Sequence, residues 1–123
     1  MTARSPEYEW RLASTWTASG LDCAIVEMGL GDPMRRWWCG YVRVPEGHPW
    51  HGRDCEDINS TSDGLAFGGI TWSGEMPERL GDGWWVGFDT AHGTGPWDWP
   101  LGQAVTETRH LARHARRAAR EAA

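Results

Sequence analysis

The chain of 123 residues lacks lysine, long apolar runs and paired cysteines. A membrane-spanning helix needs about 20 consecutive apolar residues, and no such run is present. The first residues, MTARSPEYEWR, do not have the charged-then-apolar order of a signal peptide. Cys23, Cys39 and Cys55 are odd in number and irregular in spacing, which argues against a disulfide framework. We therefore expect a cytoplasmic protein with reduced cysteines and no membrane contact.

Common catalytic and nucleotide motifs are missing as well. The GDG and GTG segments are not followed by the Gly-Lys-Ser/Thr of a phosphate-binding loop, and neither opens a strand-to-helix unit. Ser73 and Cys39 are not found in a recognised nucleophile motif or beside an obvious base. These absences disfavour nucleoside-triphosphate hydrolysis and triad-type catalysis.

The charge is unevenly distributed along the sequence. All 12 basic residues are arginines, and the whole chain has a net charge of −5. Residues 101–123 contain five arginines, Glu107 and Glu121, a net charge of +3 that leaves −8 for the rest of the chain. We interpret this as a basic helix docked on its own acidic domain, with an anionic partner as the alternative. The acidic remainder makes nucleic acid an unlikely partner.

The length is that of a single domain, here residues 1–123. Clusters of β-branched and aromatic residues between Gly, Pro and Asp breaks predict four strands, at residues 23–28, 36–44, 66–73 and 84–90. They lie in a sheet region of about 21–92, which contains a long polar loop at 45–64. An N-terminal segment of about 1–20 precedes it, with a short helix predicted through Tyr8, Arg11 and Leu12.

A C-terminal helix is predicted at about residues 101–121. Its apolar stripe recurs three and four residues apart, and a separate face carries Arg109, Arg113, Arg116 and Arg120. The stripe consists of Val105, Thr108, Leu111, Ala112 and Ala115. The predicted fold is therefore α+β, an antiparallel sheet of about four strands with a basic C-terminal helix packed on one face.

Side-chain alternation divides the strands into two faces. The face expected under the helix collects Ala24, Val26, Met28, Trp38, Val42, Val44, Ile70, Trp72, Trp84, Val86 and Phe88. The opposite face collects Glu27, Trp37, Cys39, Tyr41, Arg43, Phe67, Gly69, Thr71, Trp85, Gly87 and Asp89. We call these the helix face and the aromatic face.

An ordinary solvent face would seldom carry as many rings as the aromatic face. Gly69 and Gly87 could form the floor of a shallow pocket, Trp and Tyr rings could stack on a planar ligand, and Arg43 could bind an anion. Alternatively, the N-terminal segment or a second subunit of a homodimer covers this face.

The HPWHGRDC segment offers potential metal ligands in His48, His51 and Cys55, with Cys39 or His92 as a conceivable fourth. The pattern is weak because a structural zinc site usually shows two clean ligand pairs. We therefore expect no cofactor, with zinc or another divalent metal as the alternative.

The GFDTAHGTG segment places Asp89 and His92 where the last strand meets a glycine-rich loop. A carboxylate near an imidazole can produce a general base or a metal-ligand pair. Glu75 could reach the same rim if its strand is a neighbour. Alternatively, Asp89 accepts hydrogen bonds from loop amides and has a purely structural role.

Three motifs, C-G-Y-V-x-V-P-x-G-H-P, G-G-x-T-x-S-G and W-x-G-F-D-x-A-H, are present between about residues 37 and 92. In these motifs the chain resembles a family of small uncharacterised proteins encoded mainly by bacteriophages and prophages. The resemblance implies a phage origin and a place in the bacterial host's cytoplasm, and it implies no activity. It singles out Gly47, His48, Pro49, Gly69, Thr71, Ser73, Gly74, Asp89 and His92. Family members often have a histidine before the paired glycines, where this chain has Phe67 and Gly68.

The leading hypothesis is a phage-type accessory protein that acts by binding, which is favoured over an enzyme. It would sequester a nucleotide-like small molecule or a host protein and so counter host defence. The expected ligand contacts are Trp37, Tyr41, Arg43, His48, Thr71, Trp85, Asp89 and His92. One alternative is a small hydrolase, with or without a divalent metal, that uses His48, Asp89, His92 and Glu75. A further alternative is an acidic decoy of a DNA-binding host protein.

Overall fold

The computed structural model describes residues 9–29, 36–61, 69–90 and 100–123. Their elements are, in order, β1 (Glu9–Ala18), β2 (Leu21–Gly29), β3 (Arg36–Val44), α1 (Cys55–Thr61), β4 (Trp72–Met76), α2 (Pro77–Leu80), β5 (Gly81–Asp89) and α3 (Leu101–Ala122). The strands form an antiparallel sheet in the order β1-β2-β3-β5-β4. The α+β prediction is confirmed, and the described sheet has five strands where about four were predicted.

The first strand replaces the short helix predicted near the N-terminus. Arg11 and Leu12 both lie in β1, and Tyr8 lies outside the described residues. Ser19 and Gly20 both have positive φ angles, 52° and 77°, and they connect Ala18 to its partner Leu21. Two positive φ angles in a two-residue connection are typical of a type I′ hairpin turn. This turn holds β1 against β2 at the edge of the sheet.

The region between β3 and β5 also differs from its prediction. The predicted strand 66–73 is observed as Trp72–Met76, and residues 66–68 lie outside the described part. Ile70 bonds instead to Asn59, whose amide donates to the Ile70 carbonyl at 2.7 Å and accepts from the Ile70 N–H at 2.8 Å. The predicted loop 45–64 contains α1, which buries Ile58. A single buried side chain gives no detectable periodicity in a short helix.

The C-terminal helix packs on the helix face much as the sequence predicts. Thr108, Leu111, Ala112 and Ala115 of the predicted stripe are buried, and Val105 is partly buried beside buried Ala104. The approach is close at Gly40 of β3, where a Cβ would overlap the Thr108 hydroxyl. Small residues on both surfaces therefore let the helix lie directly on the sheet.

Candidate functional site

The two faces of the sheet are assigned correctly for β3 and β5. Val42 and Phe88 pack with α3 in the core of the helix face. Tyr41 and Trp85 belong to a second cluster on the aromatic face. Both strands alternate clearly between the two environments, so that their side-chain period of two identifies the faces.

The prediction is wrong for β2, whose faces are exchanged. Ala24, Val26 and Met28 lie on the aromatic face, opposite alternate residues of β3. Glu27 lies on the helix face for the same reason. Residues 23–26 are all buried, so the strand is apolar on both sides. Its sequence therefore does not indicate which alternate residues face the helix.

The rings of the aromatic face pack on one another. Trp37, Tyr41 and Trp85 are only 8%, 8% and 5% exposed. Trp72, which was predicted on the helix face, meets Tyr41 edge-on with ring centroids 5.8 Å apart. The Tyr41 ring in turn covers Gly87, where a Cβ would overlap it. These rings therefore form a second hydrophobic core, and Gly87 is not the floor of an open pocket.

The other predicted floor residue, Gly69, is also covered. Its φ is +95°, and a Cβ there would lie 2.8 Å from the Asn59 side-chain oxygen. Phe67 lies outside the described residues. The open space on the aromatic face is elsewhere.

A groove of about 570 Å³ opens beside the packed rings. Thr15 and Thr17 of β1, Asp22 of β2, Arg43 of β3 and Trp85 of β5 contribute to its lining, along with Trp16, Cys23, Leu80 and Asp82. Strand pairing places the first five on the aromatic face, since Thr17 pairs with Asp22 and Arg43 with Trp85. The volume lies within the usual range for small-molecule sites.

The described residues of the groove include one positive and two negative side chains. Arg43 Nη1 lies 3.5 Å from Asp22 Oδ2, and both side chains are about half exposed. Such an exposed pair contributes no more than about 1 kcal/mol to stability. The Arg43 side chain lies over Gly83, which has a φ of +112° and no room for a Cβ. Asp82 supplies the second carboxylate of the lining.

An adjoining hollow of about 240 Å³ shares Asp22 and Arg43 and is also lined by Glu46. The polar surface is therefore richer in acceptors than in cations. It suits a ligand with hydrogen-bond donors, because a free anion would have to displace Asp22 from Arg43.

Asp89 and Thr71 come together, but at the other end of the aromatic face. The Thr71 hydroxyl donates to Asp89 Oδ2 at 3.4 Å, and the Thr71 amide donates to the Gly87 carbonyl at 2.9 Å. Asp89 pairs with Cys39, four residues from Arg43 along β3 and hence about 13 Å away. The predicted ligand contacts are therefore divided between two places, with buried Tyr41 between them.

His48 lies on the opposite side of the sheet. Its Nε2 is 2.7 Å from the carbonyl oxygen of Ala115 in α3, and its Nδ1 accepts the Trp50 amide proton at 3.0 Å. The ring also meets Trp50 edge-on at 5.3 Å. Nε2 must therefore carry the proton and donate to Ala115, and burial lowers the pKa of the imidazole. In this position His48 fastens the loop after β3 to α3.

The side chains of the hydrolase hypothesis are not assembled. Glu75 pairs with Trp84, at the opposite end of β5 from Asp89. The two strands are neighbours as expected, but their antiparallel direction carries Glu75 away from the rim. His48 is separated from Asp89 by the sheet, and His92 lies outside the described residues. The described residues of this hypothesis, His48, Glu75 and Asp89, therefore do not line one common cavity.

The described ranges contain no group of three or more His, Cys, Asp or Glu residues close enough to hold a metal ion. Both ring nitrogens of His48 bond to the backbone, and the His51 ring packs 5.7 Å from that of Trp84. Cys39 lies on the other face of the sheet. The zinc alternative stays a prediction that this geometry does not favour.

Comparison of the chain with family models, curated proteins and solved structures finds no match. Nor does any helix in the described ranges have the length and apolar character to cross a membrane. The phage-family resemblance stays a prediction, and the groove has to be interpreted from its own residues.

Sequence reasoning missed most of the groove because it missed β1. Thr15, Thr17, Asp22 and Asp82 were not among the expected ligand contacts, whereas Arg43 and Trp85 were. The sequence TWTASGLD did carry a usable signal, alternating threonines followed by Ser-Gly at a hairpin turn.

Proposed function

We propose that the protein acts by binding a nucleotide-like small molecule, recognised through its nucleoside part, in the groove beside the packed rings. The observation that supports this most is the convergence of hydroxyl, carboxylate and guanidinium groups from four strands into one hollow of about 570 Å³. Rigid strands hold these groups in place, which favours selective binding.

The lining matches the chemistry of a nucleoside. Asp22 and Asp82 can accept hydrogen bonds from sugar hydroxyls, as carboxylates do in dinucleotide-binding folds. Thr15 and Thr17 can donate to or accept from the edge of a base. Leu80 and Trp85 provide apolar contact for a planar ring.

One indole group of the groove lacks a hydrogen-bond acceptor. The Nε1 atom of Trp85 is buried without a hydrogen-bond partner, and Trp85 lines the groove on the aromatic face. An unsatisfied buried donor costs about 1 to 3 kcal/mol. A small movement of the Trp85 ring toward a ligand carbonyl would recover part of this cost.

The phosphate of a nucleotide would extend into solvent. Asp22, Asp82 and Glu46 make the surroundings of Arg43 acidic, so that a buried phosphate would be repelled. We therefore expect nucleosides to bind as well as or better than their monophosphates. In the setting that the phage resemblance implies, such binding would remove a host signal molecule.

Saturation-transfer NMR with adenosine, guanosine, cytidine and uridine, each beside its monophosphate, tests this function. We expect at least one nucleoside to bind, and Asp82→Asn or Thr17→Val to weaken it by about tenfold or more through loss of a ligand hydrogen bond. Glu56→Gln is the matched control, since Glu56 is an exposed carboxylate on α1. Absence of binding across the panel, or equal binding by all variants, would contradict the proposal. Conversion of a nucleoside in the same tube would instead indicate an enzyme.

A further inference from the structure

Five arginines form one surface on α3, which we call the arginine face: Arg109, Arg113, Arg116, Arg117 and Arg120. All five are exposed. At 3.6 residues per turn they fall within a strip roughly 100° wide. The buried stripe that ends at Ala115 lies on the other side of the same helix. The arginine face is therefore turned away from the sheet.

The arginine face has no acidic partner within the described ranges. The ion pair that α3 does make there joins His110 to Glu107 at 3.8 Å. The helix docks on its own domain through apolar residues such as Leu111 and Ala112, as its predicted stripe indicates, and its arginines stay exposed. Like charges three and four residues apart destabilise a helix slightly unless an anion lies among them.

The same surface is concave toward the end of α3. Arg113, His114, Arg117 and Arg120 are the described residues that line a hollow of about 430 Å³, and no carboxylate is among them. Arginine presents planar, forked donors that match the oxygen atoms of a phosphate group.

We infer that the arginine face binds the phosphate backbone of a nucleic acid. From Arg109 to Arg120 the row extends about 16 Å, given a rise of 1.5 Å per residue. That length passes about five phosphates of one strand, so it exceeds what a single free phosphate would need. This surface is separate from the groove, and the inference does not depend on the proposed function.

An anionic membrane fits the surface less well than a nucleic acid strand. Membrane-surface helices insert an apolar face, and the apolar stripe of α3 is buried against the sheet. The large apolar side chain that α3 does expose, Leu101, lies at the far end from Arg120. The net charge of −5 opposes long contacts with a polyanion, so we expect weak, salt-sensitive binding.

Fluorescence anisotropy of a labelled DNA duplex of about 20 base pairs tests the inference. At about 50 mM salt the full chain is expected to bind, and the logarithm of the binding constant should fall with the logarithm of salt concentration at a slope of about −3, as for three to four neutralised phosphates. Arg113→Gln/Arg117→Gln should weaken binding about tenfold or more and flatten this slope. Glutamine keeps the helix propensity, and circular dichroism verifies the fold.

The matched control is Arg11→Gln/Arg53→Gln, which removes the same charge at exposed positions outside α3. The inference fails if this control weakens binding as much as the α3 variant, or if the protein does not bind at low salt. Tighter binding to vesicles with anionic lipid, or displacement of the duplex by inorganic phosphate at equal ionic strength, would also overturn it. Nucleoside binding by the α3 variant reports separately on the groove.

Discussion

The two faces of the sheet are closed in different ways. The helix face is covered by α3, which approaches through small residues and the space left by Gly40. On the aromatic face, Tyr41 covers Gly87 and Trp72 packs edge-on against Tyr41. Large rings can therefore close a sheet face without a layer of helix above it, and the groove begins where those rings end. The residues left for ligand contact are the polar ones at its border.

The sharpest way to break this comparison is to remove one ring from each face. Trp37 is 8% exposed in the aromatic cluster, so Trp37→Ala should lower the free energy of unfolding by about 3 to 5 kcal/mol. Trp38 is on the helix face but only partly buried, so Trp38→Ala should lower the free energy of unfolding by clearly less than Trp37→Ala does. The face assignment made from sequence implied the reverse order. Urea unfolding followed by circular dichroism measures both values.

Trp10→Ala is the control for loss of an indole, because Trp10 is 39% exposed. It should cost no more than about 1 kcal/mol, including its contact with Arg79. A larger loss in Trp38→Ala than in Trp37→Ala would mean that the aromatic face is not a second core. The rings would then be available for stacking on a ligand, as the sequence first indicated.

The sequence predicts the elements whose patterns are unambiguous. The bounds of β3 agree with the prediction because its breaks are clear on both sides, and α3 agrees because its stripe keeps a helical period. The alternation in β2 fails because residues 23–26 are buried on both sides of the sheet. The groove was not predicted because β1 was not predicted. The residues that line the groove come together only when β1 pairs with β2.

The role of His48 could not be read from the sequence for a different reason. Its partner Ala115 is 67 residues away, and the bond is to a backbone carbonyl that every residue carries. A histidine in a polar loop looks the same in sequence whether it binds a metal or fastens the loop. Only the tertiary contact distinguishes these roles.

His48 bonds to α3, which covers the helix face, so protonation of His48 should lower the stability of the fold. Burial lowers its pKa in the folded state from the ordinary 6.5. The unfolded chain therefore binds the proton first, and the stability contributed by neutral His48 is complete above about pH 6.5 and declines as the pH falls toward the lowered pKa. Within that window the loss approaches about 1.4 kcal/mol per pH unit. Urea unfolding between pH 8 and pH 5 measures it.

His48→Gln removes the titrating group and keeps a donor for the Ala115 carbonyl. This variant should lose the extra pH dependence below pH 6.5, although its stability at pH 8 will be lower. If His48→Gln and the wild type show the same slope, His48 is not held neutral by its contacts with Trp50 and Ala115.

The smallest expected effect separates the two faces by the chemistry of their cysteines. Burial raises the pKa of the Cys23 thiol to about 11 and that of Cys39 to about 12. Since the thiolate is the reactive form, burial keeps both thiols protonated and slow to react at neutral pH. Cys23 packs in the core of the helix face, whereas Cys39 lies within the aromatic cluster. Each thiol should therefore react with iodoacetamide only when its own face of the sheet opens.

Variants with a single thiol, Cys39→Ala/Cys55→Ala and Cys23→Ala/Cys55→Ala, allow each rate to be followed by mass spectrometry. A nucleoside bound in the groove lies on the aromatic face, so it should slow the reaction of Cys39 more than that of Cys23, whose side chain packs on the helix face. Equal protection of both thiols would mean that the ligand acts by stabilising the whole fold. Equal rates without ligand would mean that both faces open in one cooperative step. The packing of α3 and the packing of the aromatic rings would then form a single cooperative unit.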